Sequence, residues 1–337
     1  MADTTDINRH AGIEPPSGPV PKPELGDLFG PGLDASARRE IEHALPVKGS
    51  QLIEVRHYGR SLWGQTAKLT AQIPDGSVKY YFFKTASTSL MIDAELSGLS
   101  QIYHVSPSFV PEPLGSGSYF SRHEITGEIL PRTHFLITSF RKIGLQPPTP
   151  AAFVFKLADL HKTSVSPTGK FGSQKAPCHA TISYHNVITW QSSWSTLFRD
   201  ILAHTIILSQ RQHKGHDSYA DFQRIGNWVL DKVISRLLNP LEGKIKPCLI
   251  HGDLWDENTA TDAVTGEPFV FDPMAFYAHN EYEIGNWRAA RHRLSRKEYV
   301  DAYKELCPPD EPGEPRRPAN VGYVSQLITE HVSRGVG

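Results

Sequence analysis

Asp253, Asn258 and Asp272 are the residues of this chain whose types and spacing are best suited to chemistry. They lie in a stretch that reads Ile250-His251-Gly252-Asp253-Leu254-Trp255-Asp256-Glu257-Asn258, then thirteen residues, then Asp272-Pro273. A carboxylate that can accept a hydroxyl proton, an amide five positions on and a second carboxylate beyond the next turn match the needs of phosphoryl transfer from ATP. Asp253 is the candidate catalytic base, and Asn258 and Asp272 are candidate metal ligands. Magnesium fits, because hard oxygen donors together with phosphates suit a small cation that keeps its waters. No second His or Cys lies at ligand spacing from His251, which is therefore expected to brace the loop by hydrogen bonds. The alternative is a set of turn-forming Asp and Asn residues beside a hairpin.

Such groups need rigid elements to hold them. Residues 261–267 are turn-rich, and the flanking apolar runs 247–250 and 269–271 read as paired strands that would bring both carboxylates to one end. Upstream, Asp34 can cap a helix over 35–44, followed by strands at 51–58, 66–73 and 78–84, with Pro74-Asp75-Gly76 as the last turn. Thr88 or Ser89 can start a helix with Ile92, Leu96, Leu99 and Tyr103 at helical spacing, and further strands are expected at 109–115 and 134–140. After Pro147-Pro148-Thr149-Pro150 the pattern turns helical, at 151–162, 193–213 and 218–238. In the last of these Phe222, Ile225, Val229 and Val233 mark a face, widened by Leu230, Ile234, Leu237 and Leu238.

The expected architecture is α+β: a small N-terminal lobe with an antiparallel sheet (33–141), then a mainly helical C-terminal lobe carrying catalysis and substrate binding (142–307). The proline-rich segment 1–32 reads as a disordered tail, and 308–337 as an atypical C-terminal tail. A composition of 39% hydrophobic and 21% charged residues in 337 is that of a globular chain able to build two cores. With 35 basic and 36 acidic side chains the charge is balanced, so neither nucleic acid nor an anionic membrane is expected as a partner. Cys178, Cys248 and Cys307 form neither a disulfide framework nor a zinc spacing, and no run has signal-peptide or membrane-spanning character, so a cytoplasmic setting is expected.

Phosphoryl transfer also requires a cation on the phosphates. Residues 80–84 form an aromatic strand ending in Lys84, and Glu95 on the following helix can pair with it and aim it. Loop 58–64, with Gly59 and Gly64, can cover the phosphates by its backbone N–H groups, although a plain hairpin connection reads equally well. The main chain at Thr138, Ser139 and Phe140 is the expected reader of adenine.

Together these residues resemble the fructosamine kinase family, also called ketosamine 3-kinases or protein-ribulosamine 3-kinases. The resemblance rests on His251-Gly252-Asp253-Leu254-Trp255, Asn258, Asp272-Pro273 and Phe276-Tyr277-Ala278-His279. Leu157-Ala158-Asp159-Leu160-His161, Trp190-Gln191-Ser192-Ser193-Trp194 and Glu95-Leu96-Ser97-Gly98-Leu99 extend it over roughly residues 45 to 305. It implies a two-lobed protein-kinase-like fold and ATP-dependent phosphorylation of the 3-hydroxyl of a small-molecule or protein-bound ketosamine. That phosphorylation makes the sugar–amine adduct labile, so the resemblance further implies repair of glycated protein. It also implies that Trp255 stacks on the sugar and that His279 and Trp190 face the substrate. Two departures are expected to matter: from Pro308 the family's last helices are missing or altered, and Trp63 in the glycine-poor loop fills space the nucleotide would use.

Two alternatives stay open. A kinase of aminoglycosides or of choline-type amino alcohols needs convergent carboxylates or an aromatic cage around a cation. A kinase-fold binding module that has lost turnover would keep the fold without the catalytic geometry.

Overall fold

The computed structural model describes residues 33–308 except 60, 62, 124–125 and 213–218. The two expected tails, 1–32 and 308–337, therefore lie outside the described residues, Pro308 apart. The chain begins with α1 (Ala35–Ala44), capped as expected by Asp34, whose Oδ1 accepts the N–H groups of Ser36 and Ala37 at 2.9 and 2.8 Å. Strands β1 (Gln51–His57), β2 (Thr66–Gln72) and β3 (Val78–Ala86) follow, then α2 (Ser89–Val105), β4 (Pro113–Tyr119) and β5 (Thr133–Ser139). All five strands join one antiparallel sheet in the order β1-β2-β3-β5-β4.

The two-residue period of β3 divides its side chains between two tasks. Tyr81 and Phe83 are buried, with the Phe83 ring 5.4 Å from that of Phe135 on β5. Phe82 and Lys84 point to the other face, which walls a cavity. The strand expected at 109–115 starts later, because Phe109 and Val110 turn into the core and the Phe109 carbonyl accepts the N–H of Val270 at 2.8 Å. Burying such side chains contributes about 1.5–3 kcal/mol each, more than one strand hydrogen bond provides.

The rest is mainly helical: α3 (Pro150–Thr163), the short hairpin β6 (Cys178–His179) and β7 (Ile182–Ser183), α4 (Trp194–Gln212), α5 (Tyr219–Trp228) and α6 (Ile234–Leu238). Helices α5 and α6 are joined by a π turn at Val229–Val233. The segment is buried at Gly226, Ile234 and Leu238, with Phe222, Val229, Leu230 and Leu237 packed against the same core, whereas Ile225, expected inside, is 50% exposed. Then come β8 (Cys248–Ile250), β9 (Thr259–Thr261), β10 (Pro268–Val270), β11 (Phe276–Ala278), α7 (Asn280–Glu283) and α8 (Lys297–Leu306).

The expected pairing of 247–250 with 269–271 is overturned. β8 pairs with β11, and β9 pairs with β10 around the Asp262 turn. Both short ladders are antiparallel, and the loops between them carry Asp253 and Asp272. The β8–β11 ladder spans both cores: Ile250 and Phe276 enter the core of α4, α5 and α6, whereas Leu249, Tyr277 and, from β10, Val270 enter the core of α2, α3 and α8. That second core also takes Leu136 of β5, so one apolar continuum underlies sheet and helices.

Candidate active site

The catalytic loop is built by backbone pinning. Gly252 has φ +81, and a Cβ there would lie 2.3 Å from the Met274 carbonyl oxygen, so the loop can approach the segment after Asp272 only with glycine at this position. His251 donates from Nε2 to the Phe271 carbonyl at 2.9 Å, and its Nδ1 accepts the Asp253 N–H at 3.4 Å. It braces the loop, in the role expected from its isolation. From below, the fully buried Glu283 carboxylate accepts the N–H of His251 and, at 3.0 Å, that of Gly252. Asp256 accepts the N–H groups of Arg293 and Leu294, the latter at 3.0 Å, which ties the loop's far end to the turn before α8.

Asn258 donates from Nδ2 to the Asp253 carbonyl at 2.8 Å and to its Oδ2 at 3.0 Å, so its oxygen end remains as a donor for a cation. The Phe271 N–H donates to the Asn258 carbonyl at 3.1 Å, holding Asp272 beside it. Asp272 has φ 58, a left-handed conformation that Asp tolerates better than most residues at a cost of about 1 kcal/mol or more.

Lys84 closes the cluster. Its Nζ lies 2.6 Å from Asp272 Oδ1 and 2.8 Å from Glu95 Oε2, with the ammonium side chain 10% exposed. Burial would lower the Lys84 pKa, but Asp272 and Glu95 outweigh it and hold the group firmly cationic. Burial and the neighbouring Asp272 push Glu95 up, whereas for Asp272 burial is outweighed by Lys84 and a hydrogen bond with Glu95, which hold it low. Asp253 is likewise held below its usual range: burial opposes ionisation, and the charge and hydrogen bonding of His179, with the nearby His251, overcome it. It is therefore ionised at neutral pH, as a base must be.

Two cavities meet at these groups. One, of about 190 Å³, is lined by Gly59, Phe82, Lys84, Glu95, Thr138, Ser139, Arg141 and Asp272, among others. The other, of about 460 Å³, holds Lys84, Glu95, Asp253, Trp255, Asn258 and Asp272 together with Trp63, His179 and His292. Ser61, Glu257 and Phe271 line both. A third groove of about 620 Å³, beside Leu96, His104 and Tyr277, is lined by none of the catalytic or metal candidates.

The other expected site residues distribute unevenly. Phe140 does not line the smaller cavity but packs edge-on against Tyr58 at 4.9 Å, and the Tyr58 hydroxyl accepts the Ile143 N–H at 3.1 Å. Gly64 is pressed against β3, where a Cβ would fall 1.7 Å from the Thr85 carbonyl oxygen, so it serves close packing of the loop. Trp63 stands in the larger cavity with Trp255, not in the smaller one it was expected to obstruct. Trp190 and His279 are not brought to the cleft. Trp190 stacks on Tyr277 at 5.9 Å and donates to Gln174, and His279 is 1% exposed with its ring 6.4 Å from that of Trp194. The reason is β11, which leads away from Asp272 into the core before His279 is reached.

Sequence reasoning missed His179, Glu283, Glu257, Arg141 and His292. A buried Glu such as Glu283 must find donors, but nothing local in Glu281-Tyr282-Glu283 says that they belong to the catalytic loop.

A fructosamine kinase family profile matches residues 51–323. The chain belongs to the fructosamine kinase family. The rice (Oryza sativa subsp. japonica) chloroplastic protein-ribulosamine 3-kinase is 30% identical over 234 residues, covering 67% of this chain and 60% of the rice protein. Mouse (Mus musculus) ketosamine-3-kinase is 27% identical over 226 residues, 59% of this chain and 65% of that protein. The chain thus matches just under two thirds of the length of these relatives. Among solved structures, a candidate fructosamine-3-kinase from Haemophilus somnus superposes with a TM-score of 0.61 at 14% identity, covering 89% of this chain and 97% of its own. One from Thermobifida fusca gives 0.59 at 20% identity, covering 90% and 99%. The streptomycin–ATP complex of the aminoglycoside phosphotransferase APH(2")-IIa gives 0.55 at 13% identity, covering 90% and 95%. The fold of this family member is the two-lobed α+β fold of those phosphotransferases.

Proposed function

We propose that this chain is an ATP- and magnesium-dependent kinase that phosphorylates the 3-hydroxyl of ketosamines, ribulosamine or fructosamine on lysine or on protein. The observation that carries this reading is the meeting of Asp253, Asn258, Asp272 and the Lys84–Glu95 pair where two adjoining cavities share Lys84, Glu95 and Asp272, the larger of them lined by Trp255. Lys84 is suited to hold the phosphates of ATP, with adenine against Thr138 and Ser139. Asn258 and Asp272 would hold magnesium, which supplies charge neutralisation on those phosphates. Asp253 takes the acceptor proton as the hydroxyl oxygen bonds to the γ-phosphorus and the bond to the β-bridging oxygen breaks, releasing ADP. Trp255 offers an aromatic plate to a sugar's C–H face.

Charge favours a ketosamine over a polycationic aminoglycoside. Of the carboxylates lining the larger cavity, Glu95 and Asp272 are engaged by Lys84, and Asp253 by His179. Only Glu257 remains to meet a cation, a match for one adduct amine. Among the described residues no helix is long and apolar enough to cross a membrane, and Cys178, Cys248 and Cys307 are free thiols. A cytoplasmic setting and a role in protein deglycation belong to the same proposal.

The test is turnover of ribulosyl-lysine and fructosyl-lysine with ATP and magnesium. The wild type should form the 3-phosphate, and Asp253→Ala should lose about 10²- to 10⁴-fold in kcat. ATP binding without turnover of any ketosamine would favour the binding-module reading.

A further inference from the structure

The hairpin of β6 and β7 holds no nucleotide group, yet it reaches the base. Its strands pair Cys178 with Ser183 and His179 with Ile182. The turn forces Ala180 to φ 53, a left-handed conformation that costs an L-residue about 1–2 kcal/mol. That turn is held by the Cys178 thiol donating to the Ala180 carbonyl at 3.1 Å and by the N–H of the buried Tyr184 donating to the Pro177 carbonyl at 3.1 Å. A strained turn that is held on both sides fixes the direction of the side chain beside it.

That side chain is His179, whose Nε2 lies 3.4 Å from Asp253 Oδ1, with the two side chains 13% and 24% exposed. Asp253 Oδ2 is held from the opposite end by Asn258 Nδ2 at 3.0 Å. The carboxylate is thus gripped by one donor on each oxygen, while each oxygen has a second lone pair for an incoming hydroxyl. His179, Cys178 and Ala180 also line the larger cavity, together with Asp253 and Trp255.

We propose that His179 is a positioning residue for the catalytic base: through Nε2 it fixes the rotation of the Asp253 carboxylate so that a free lone pair of Oδ1 faces the acceptor hydroxyl. The inference rests on the reading of Asp253 as base. Among the lowering influences on Asp253, that of His179 is the largest, in keeping with the geometry.

The experiment is steady-state kinetics on the full chain with ribulosyl-lysine, ATP and magnesium for His179→Ala, His179→Gln, His179→Asn, Asp253→Ala and the His179→Ala/Asp253→Ala double variant. His179→Ala should lower kcat by about ten- to a hundredfold, part of what a general base contributes, with KM for ATP unchanged. His179→Gln, whose amide nitrogen stands in for Nε2, should recover most of that rate. His179→Asn, whose amide stands in for Nδ1 and falls short of Oδ1, should not, which separates reach from folding. The double variant should be no slower than Asp253→Ala alone, because the two side chains act as one unit. Wild-type kcat in His179→Ala, equal rates for the Gln and Asn variants, or additive losses would each overturn the inference. Full activity of Asp253→Ala would instead overturn the reading of the base. If the wild type turns over no ketosamine, the same comparison is read in acceptor-free ATP hydrolysis.

Discussion

The smaller cavity, proposed for the nucleotide, and the larger one, proposed for the acceptor, share Lys84, Glu95 and Asp272 as a wall but are assembled by different means. On the nucleotide side, Phe82 and Lys84 are two residues apart on one strand and Glu95 lies on the next helix, so strand alternation and one short connection set most of the geometry. On the acceptor side, Asp253 depends on His179, 74 positions earlier, and on Glu283, 30 positions later. The first sets its Lys84–Glu95 pair by local register and takes Asp272 from 188 positions away, whereas the second depends on His179 and Glu283, side chains that only tertiary folding delivers. A cluster of the first kind should fail locally when altered, whereas the second should fail through the loop's position.

Lys84→Met probes the first and carries the larger expected loss of activity of the two cavity probes. It should cut kcat/KM for ATP by about 10²- to 10³-fold and leave the buried Glu95 and the part-exposed Asp272 without their shared cation. Measured ATP affinity should fall with it, and ATP affinity equal to wild type would break the comparison.

Glu283→Ala probes the second. Removing the acceptor of the His251 and Gly252 N–H groups should destabilise the fold by about 2–4 kcal/mol, read from denaturant unfolding. Below the unfolding transition kcat should drop while ATP affinity holds. Equal losses in both would show that the two cavities are one mechanical unit.

The smallest effect is expected at Asp262, which pairs with the Arg141 that lines the smaller cavity. For Asp262, burial is outweighed by the N–H of Val264 and by Arg141, whose Nε lies 2.9 Å away, so its pKa is held below the ordinary 3.8. The sign follows: stability from this group is present at pH above its unfolded-state value and is lost as pH falls through the lower folded value. Asp262→Asn should therefore flatten the acid end of a plot of Tm against pH and leave the neutral end lower by a small amount. An unchanged acid slope would show that the Arg141 contact adds nothing to stability.

Much of this was legible in the residues. The helix cap at Asp34, the strand alternation that puts Lys84 opposite Tyr81 and Phe83, and the loop bearing Asp253 and Asn258 all follow from short-range pattern. The partner of β8 was not, because Val270 and Phe276 are equally apolar and nothing local distinguishes 269–271 from 276–278 as the pairing strand. His279 shows the same limit from the other side: a residue inside the chain's most recognisable stretch is carried into the interior by β11.

The amino-acid sequence by itself determined which side chains could perform phosphoryl transfer, since acid, amide and ammonium at those spacings are chemistry that local structure preserves. Tertiary structure alone decided which of them meet and what steers them. A hairpin turn at Ala180 and a buried carboxylate at Glu283 act across distances that no periodicity encodes, because contacts between remote segments are chosen by packing and by the need to satisfy buried polar groups.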